Sequence, residues 1–304
     1  MGSPTPDRSR AAAALATFGV LAGLAAALLG AVAIRTQTGQ RIDDAGRGGV
    51  SAFDAPEVFR GASGLLDTIS VASLALFGAG IVLVALLRGR PRLAVAAGVV
   101  LLGANVTTQI VKDAVDRPDL VYGWWTEPGA FPSGHTTVAM SLAMALMIVV
   151  PTGLRWIAAA GGCAYAAGVG VAVIALDWHR PSEVIGAYLV VASWTGLVMA
   201  VLTLAGEDPE REPGRLGRAA TLVAGVLGAA FALVVAATAA RRLDLHQLVY
   251  DRTTFAVASA VCAAACAAIG AVTTALVQRA TASPQGVSAD SLRGDARRRP
   301  HGRG

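Results

Sequence analysis

The chain alternates long apolar runs with short polar turns, and this pattern dominates its sequence. The apolar runs are 15 to 25 residues long, and most of them reach the length that an α-helix needs to cross a bilayer. The pattern predicts eight membrane-spanning helices, at residues 11–34, 65–87, 93–111, 136–150, 156–176, 184–204, 219–240 and 253–277. The predicted fold class is therefore all-α: a polytopic membrane helix bundle, with a six-helix core and two additional C-terminal transmembrane helices.

The polar segments divide this bundle into regions. We expect a cytoplasmic N-terminus, a six-span core, a charged linker, two additional spans and a disordered basic tail, at residues 1–10, 11–204, 205–218, 219–277 and 278–304. The first apolar run exceeds the ~7–15 residues of a signal-peptide core, which predicts a retained helix. Residues 35–64 are predicted to form a polar loop, and His246 falls in a polar loop between the last two spans.

The composition supports a membrane protein and sets its orientation. Hydrophobic residues make up 55% of the chain and charged residues 15%, with a mean hydropathy of +0.59; a soluble domain carries about 25% charged residues. The net charge of +5 does not indicate nucleic-acid binding, because the arginines lie mostly in short loops and the tail. Fifteen positive residues fall on the side of the termini and ten on the other, which favours cytoplasmic termini in the cell membrane.

This topology places three polar turns at the same face of the membrane. They are the loop after the third span, the start of the fourth span, and the turn between the fifth and sixth spans, at residues 113–132, 131–137 and 177–183. Charged groups at a membrane boundary are costly unless they pair or act chemically. We therefore expect the functional site at this extracytoplasmic face.

The turn before the sixth span places a histidine and a carboxylate one helical turn apart. Pro181 suits the first turn of a helix, so Glu183 is expected to accept the ring N–H of His179. Such a bond fixes the tautomer of His179 and makes its other ring nitrogen a better nucleophile.

The start of the fourth span has the features of an anion-binding helix N-terminus. Ser133 is expected to cap the helix, and Gly134 allows a ligand to approach the backbone closely. Free N–H groups and the helix dipole favour an anion there, with His135 beside it as a candidate acid.

Cations near these turns complete the pattern. Lys112, the single lysine of the chain, can bind a multiply charged anion together with Arg117. Two histidines, one of them oriented by a carboxylate, together with cations and a helix N-terminus indicate phosphoryl transfer. The simpler alternatives are an ordinary helix cap at Ser133, a snorkelling lysine, and interfacial positive charges at Arg117 and Arg180.

These residues resemble the motifs of the type 2 phosphatidic acid phosphatases, a superfamily that also includes the vanadium haloperoxidases. Its Pro-Ser-Gly-His motif is complete at residues 132–135, its lysine is matched by Lys112, and His179 with Glu183 matches the end of its third motif, where Asp is usual. The resemblance covers about residues 11–204 and implies a six-span phosphatase-like core that needs no metal and no other cofactor.

The resemblance also implies a role for each matched residue. His179, oriented by Glu183, would attack phosphorus to form a phosphohistidine, and His135 would protonate the leaving oxygen. Ser133 and the Gly134 N–H would hold the phosphate.

Two arginines of the family motifs are not matched. Asp119 and Val173 stand at the expected positions, and Arg117 and Arg180 are candidates to replace them in phosphate binding. Losing one transition-state charge contact typically costs about 3–4 kcal/mol. A catalytically weak or inactive relative that binds a lipid headgroup is therefore an alternative to an active enzyme.

The sequence thus predicts an integral membrane phosphatase acting on a lipid phosphate or pyrophosphate, of the phosphatidic acid, phosphatidylglycerol phosphate or polyprenyl pyrophosphate type. The expected partners are the lipid bilayer and a membrane lipid substrate, with no nucleic acid; the oligomeric state is left open. A small membrane transporter is the alternative from another class. The ionisable residues cluster at one boundary rather than at mid-membrane, which disfavours it.

Overall fold

The fold consists of helices packed around a short buried one. A computed structural model describes residues 6–48, 56–121, 130–206 and 252–281. In chain order the helices are α1 (Pro6–Arg35), α2 (Gln37–Gly48), α3 (Pro56–Leu66), α4 (Val71–Leu87), α5 (Pro91–Ala114), α6 (Gly134–Val149), α7 (Arg155–Ala175), α8 (Pro181–Leu204) and α9 (Arg252–Thr281). Within these ranges the secondary structure is helical, without strands, and the predicted all-α class is confirmed.

Several of these helices are suited to crossing a membrane. In the described part of the chain, α1, α5, α7, α8 and α9 are long and apolar enough to do so, and the chain is a multi-pass membrane protein. Helix α6 is shorter and is buried along most of its length. The predicted seventh span lies outside the described residues, and so do the charged linker apart from residues 205–206 and the basic tail apart from residues 278–281.

The predicted second span, residues 65–87, is wrong as a continuous helix. The chain bends by 56° between Arg60–Leu66 and Val71–Leu87. Ser70 caps the start of α4 by accepting from Ser73 N at 3.0 Å, and Ser70 N donates to Ser73 Oγ at 2.8 Å. Local side-chain bonds of this kind compete with the helical ladder, and they start a new helix here.

The prediction of a polar loop at residues 35–64 is also wrong. This segment forms α2 and most of α3. Helix α2 is amphipathic in an unusual sense, because its buried face carries the polar residues Gln40, Asp43 and Asp44. A search for apolar periodicity misses such a face.

Helices α1 and α8 pack closely through small residues. A Cβ atom added at Gly19 would lie 2.9 Å from the backbone of Ser193 and Leu197, and one added at Gly196 would lie 2.8 Å from Leu15 O. Glycine therefore permits the close approach of backbones that is common between membrane helices. This contact fixes where α8 begins relative to the end of α1.

The bundle has two chemically different ends. At one end, Arg155 Nη1 donates to Thr281 Oγ1 at 2.6 Å, and the start of α1 lies beside Gly206. The start of α1 and the end of α9 therefore share this end. The starts of α6 and α8, the end of α5 and helix α2 lie at the opposite end, where the three predicted polar turns are brought together.

Candidate active site

The start of α6 presents unfilled backbone donors. Ser133 is the N-cap, with its hydroxyl oxygen accepting from Thr136 N at 3.4 Å and from Thr136 Oγ1 at 3.0 Å. Thr137 N donates to Ser133 O at 3.0 Å. The N–H groups of Gly134 and His135 have no acceptor among the described residues, as expected of a helix start. They can donate to an anion.

Lys112 lies beside these donors. A Cβ atom added at Gly134 would point at the ammonium of Lys112 from 3.6 Å, with Gln109 Nε2 at 4.0 Å. The half-buried Lys112 has no hydrogen bond or ion pair to any described residue. The ammonium of Lys112 and the N–H groups of Gly134 and His135 place positive potential on two sides of one space. Lys112 also interacts electrostatically with Glu183.

The start of α8 carries the histidine–carboxylate pair. His179 Nδ1 and Glu183 Oε2 are 2.7 Å apart, and both residues are buried. Glu183 Oε2 also accepts from Arg180 N at 3.0 Å, so the carboxylate fills the first turn of its own helix. Because Nδ1 of His179 faces the carboxylate, a proton on Nδ1 leaves Nε2 as the nitrogen that can attack.

The two helix starts are joined through the backbone. Ser133 N donates to Glu183 O at 2.9 Å, which ties the cap of α6 to the first turn of α8. His135 interacts electrostatically with both His179 and Lys112, and its ring packs against Trp178 with the centroids 5.5 Å apart. Lys112, His135 and His179 therefore surround one space at the end of the bundle.

Arg117 and Arg180 are placed beside this space, but in ion pairs with α2. Arg117 Nη1 lies 3.4 Å from Asp43 Oδ2, and its Nη2 lies 3.3 Å from Asp44 Oδ1. Arg180 Nε donates to Asp44 Oδ1, and Nη1 lies 3.5 Å from Glu183 Oε1. The guanidinium groups are buried among carboxylates, and their direct contact with a phosphate stays a prediction.

Asp43 anchors α2 to the start of α8. Its carboxylate accepts from Ser182 N at 2.9 Å and from Ser182 Oγ at 2.7 Å. Burial and then the nearby charge of Glu183 raise the pKa of Asp43 from 3.8 to about 6, against the opposing effect of Ser182 and Arg117. On the same helix, Arg47 Nε lies 3.9 Å from Asp177 Oδ1.

The two positions that depart from the family motifs have structural roles. Val173 is fully buried in α7, and its carbonyl oxygen accepts from Trp178 N and His179 N at 3.0 and 3.1 Å. The side chain of Asp119 accepts from Val121 N at 3.3 Å in the loop after α5. Neither side chain brings a positive charge to the space beside Lys112.

An apolar cavity adjoins the start of α6. It has a volume of about 460 Å³ and lies between α1, α5 and α8. Its walls include Gly30, Val111 and Trp194, and Phe131 and Pro132 line it on the side of the α6 cap. An apolar space next to a polar helix start suits a ligand with one charged and one apolar part.

Sequence reasoning missed the residues on α2. Gln40, Asp43, Asp44 and Arg47 recur at the spacing of one helix face, which was the available signal. Gln40 fastens the loop after α5, since Nε2 donates to Pro118 O at 2.6 Å and Oε1 accepts from Leu120 N at 3.2 Å. In the ranges that the structure describes, no group of three or more His, Cys, Asp or Glu side chains is placed to hold a metal ion.

The helices define a multi-pass membrane protein, and two histidines, Lys112 and the start of α6 meet at one end of the bundle. Residues 93–206, from the first turn of α5 to just after α8, match the model of the PAP2 superfamily. That segment is therefore similar to the PAP2 superfamily, and the match supports a hydrolase of phosphate esters. The comparison with curated proteins gave no match, and neither did the comparison with solved structures.

Proposed function

We propose that the protein is a membrane phosphatase that hydrolyses a lipid phosphate or pyrophosphate through a phosphohistidine. The observation that carries this proposal is the juxtaposition of the His179–Glu183 pair with Lys112 and the start of α6, where two N–H groups have no acceptor in the part of the chain that the structure describes. One half of this arrangement orients a nucleophile and the other half binds an anion.

The residues suggest a division of labour in two chemical steps. Nε2 of His179 attacks phosphorus, the bond from phosphorus to the leaving oxygen breaks, and His135 gives that oxygen a proton. Water then attacks phosphorus, His135 takes a proton from the water, the bond from phosphorus to Nε2 of His179 breaks, and inorganic phosphate leaves. Lys112 and the N–H groups of Gly134 and His135 stabilise the charge that develops on the phosphoryl oxygens.

Ser133, Arg117 and Arg180 have supporting parts in this proposal. Ser133 is fully buried and caps α6, so it holds the donors in place. The two arginines add positive potential close to the site, although each also pairs with carboxylates. Their direct contact with the phosphate is tested by Arg117→Ala and Arg180→Ala.

A lipid is the proposed substrate because the apolar cavity beside Phe131 and Pro132 can take an acyl or polyprenyl chain that enters sideways from the bilayer. The proposed orientation has both termini in the cytoplasm and the site at the extracytoplasmic face of the cell membrane. The start of α1 and the end of α9 share the end opposite the site, which supports both lying on one side of the membrane.

Phosphate release in detergent tests the proposal. The purified protein is assayed with phosphatidic acid, phosphatidylglycerol phosphate and polyprenyl pyrophosphate, beside His179→Ala. We expect release from at least one lipid and a loss of at least about 10³-fold in the variant. His246→Ala is the matched control and should retain activity. No release from any lipid, or equal release by His179→Ala, would falsify the proposal.

A headgroup-binding protein without turnover is the second candidate. Val173 and Asp119 leave two motif positions without positive charge, and carboxylates engage Arg117 and Arg180. This candidate predicts that the protein binds phosphatidic acid vesicles, that Lys112→Ala weakens the binding, and that phosphate release stays at background.

A further inference from the structure

We propose that Asp43 and Asp44 of α2 are positioning residues for the reaction. They hold the start of α8 and balance the charge of the two buried arginines, so that the carboxylate of Glu183 remains directed at His179. This inference rests on the proposed function, because it assigns the two aspartates to the same reaction.

Asp43 fixes the position of the first turn of α8. It accepts both the backbone N–H and the hydroxyl of Ser182, the residue next to Glu183. Because Ser133 N donates to Glu183 O, the same contact also sets where α6 begins. An aspartate far away in the sequence thus acts on both helix starts that form the site.

Asp44 acts through Arg180. Arg180 is the N-cap of α8, its side chain is 2% exposed, and it contacts Asp44 through Nε and Glu183 through Nη1. A buried guanidinium needs a carboxylate within reach. If the charge of Asp44 is removed, Arg180 is drawn towards Glu183 and competes with His179 for that carboxylate.

The charges in this cluster match in number. Asp43 and Asp44 face Arg117 and Arg180, so the two aspartates offset the two guanidinium charges. Glu183 is then left as the carboxylate that serves the ring of His179, at 2.7 Å. If one aspartate charge is removed, the two guanidinium groups share a single aspartate. Glu183 is then the nearest carboxylate that can replace the lost partner.

Helix α2 lies outside the segment that matches the superfamily. The matched residues 93–206 contain His135, His179 and Glu183, but neither aspartate. The proposed site is therefore completed by a helix that the family match does not include.

Steady-state kinetics of Asp44→Asn test the inference. We expect kcat to fall about 10–100-fold, the range for outer partners that orient a reacting side chain. KM and the affinity for inorganic phosphate should stay within about twofold, because Lys112 and the start of α6 are unchanged. Asp113→Asn, an exposed aspartate at the same end of the bundle, is the matched control and should keep wild-type kcat.

A double-mutant cycle separates positioning from folding. Asp44→Asn should lower kcat much less in an Arg180→Gln background than in the wild type, since the aspartate acts through that arginine. Asp44→Glu keeps the charge and should retain most of the wild-type kcat. This variant tests the inference even if Asp44→Asn is too unstable to purify. A kcat loss that Asp44→Glu does not relieve at all would assign a purely structural role to Asp44.

The outcomes distinguish this inference from the proposed function. A wild-type protein that releases no phosphate overturns both. An active wild type with unchanged kcat in Asp44→Asn overturns the positioning role alone. A loss confined to KM or phosphate affinity also overturns it, because it would place Asp44 in binding rather than in orientation.

Discussion

The starts of α6 and α8 lie side by side, but their backbone N–H groups differ in whether they have acceptors. At α8, carboxylates of the protein fill the first turn: Glu183 accepts from Arg180 N, and Asp43 accepts from Ser182 N. At α6, the N–H groups of Gly134 and His135 have no acceptor among the described residues, and Lys112 stands beside them. Side chains of the protein thus close the start of α8, whereas the start of α6 is open, and we therefore propose that a phosphate binds at α6.

The largest expected effect comes from removing His135, the proposed acid at the open start of α6. His135→Ala should lower activity on a lipid phosphate by about 10²–10⁴-fold, because the alkoxide leaving group needs a proton. With p-nitrophenyl phosphate, whose leaving group needs none, the loss should be much smaller. Parallel rate measurements on both substrates check this, and equal losses on both would remove His135 from the role of acid.

At the closed start of α8, Asp43 should make the free energy of unfolding depend on pH. Folding raises the pKa of Asp43 from 3.8 to about 6, so the folded protein binds this proton more tightly than the unfolded chain. The protonated carboxyl favours folding below about pH 4, and this contribution, up to about 3 kcal/mol, is lost as the pH rises through about 6.

Thermal unfolding in detergent between pH 4.5 and 7.5 measures this effect. The unfolding midpoint of wild type should fall relative to that of Asp43→Asn as the pH rises. Parallel curves for the two proteins would contradict the raised pKa. An exposed aspartate replaced in the same way, Asp113→Asn, should follow the wild-type curve.

Lys112→Ala should weaken phosphate binding at the open start. A hydrogen bond to a charged group contributes about 1.5–3 kcal/mol, so the affinity for inorganic phosphate should drop by about 10–100-fold. Titration calorimetry or competition against lipid turnover gives this number. Unchanged affinity would mean that Lys112 only extends to the membrane surface, which is the simpler interpretation of a lone lysine.

Gly134→Ala should give the smallest effect. The added methyl group meets Lys112 Nζ at 3.6 Å, an ordinary contact, so the fold should tolerate it. The methyl group enters the space proposed for the phosphate and should weaken phosphate affinity by about tenfold or less. Wild-type affinity in a folded variant would move the phosphate away from the start of α6.

Much of this organisation could be predicted from the sequence because it depends on short-range physics. Apolar runs give the long helices, and parity of the spans brings His135 and His179 to one end. The four-residue spacing of His179 and Glu183 predicts their hydrogen bond, which is present at 2.7 Å.

The remainder depends on long-range packing. Asp43 and Asp44 meet Ser182 and Arg180 across more than 130 residues, and no local pattern reports such a contact. Hydropathy alone does not locate the bend before α4, because the polar residues Asp67, Thr68 and Ser70 also suit the start of one continuous span. The Ser70 cap begins a new helix there.

The length of α6 determines the depth at which this chemistry would occur. With 16 residues it is about 24 Å long, several ångströms shorter than the hydrocarbon layer of about 30 Å. If its last turn is level with one boundary, its first turn lies below the other. A lipid phosphate would then have to move below the headgroup layer to reach the start of α6. Its acyl or polyprenyl chain would stay in an apolar environment, as in the bilayer. A soluble phosphate ester would have to give up bulk water without that compensation, so this depth would add to the proposed preference for lipids.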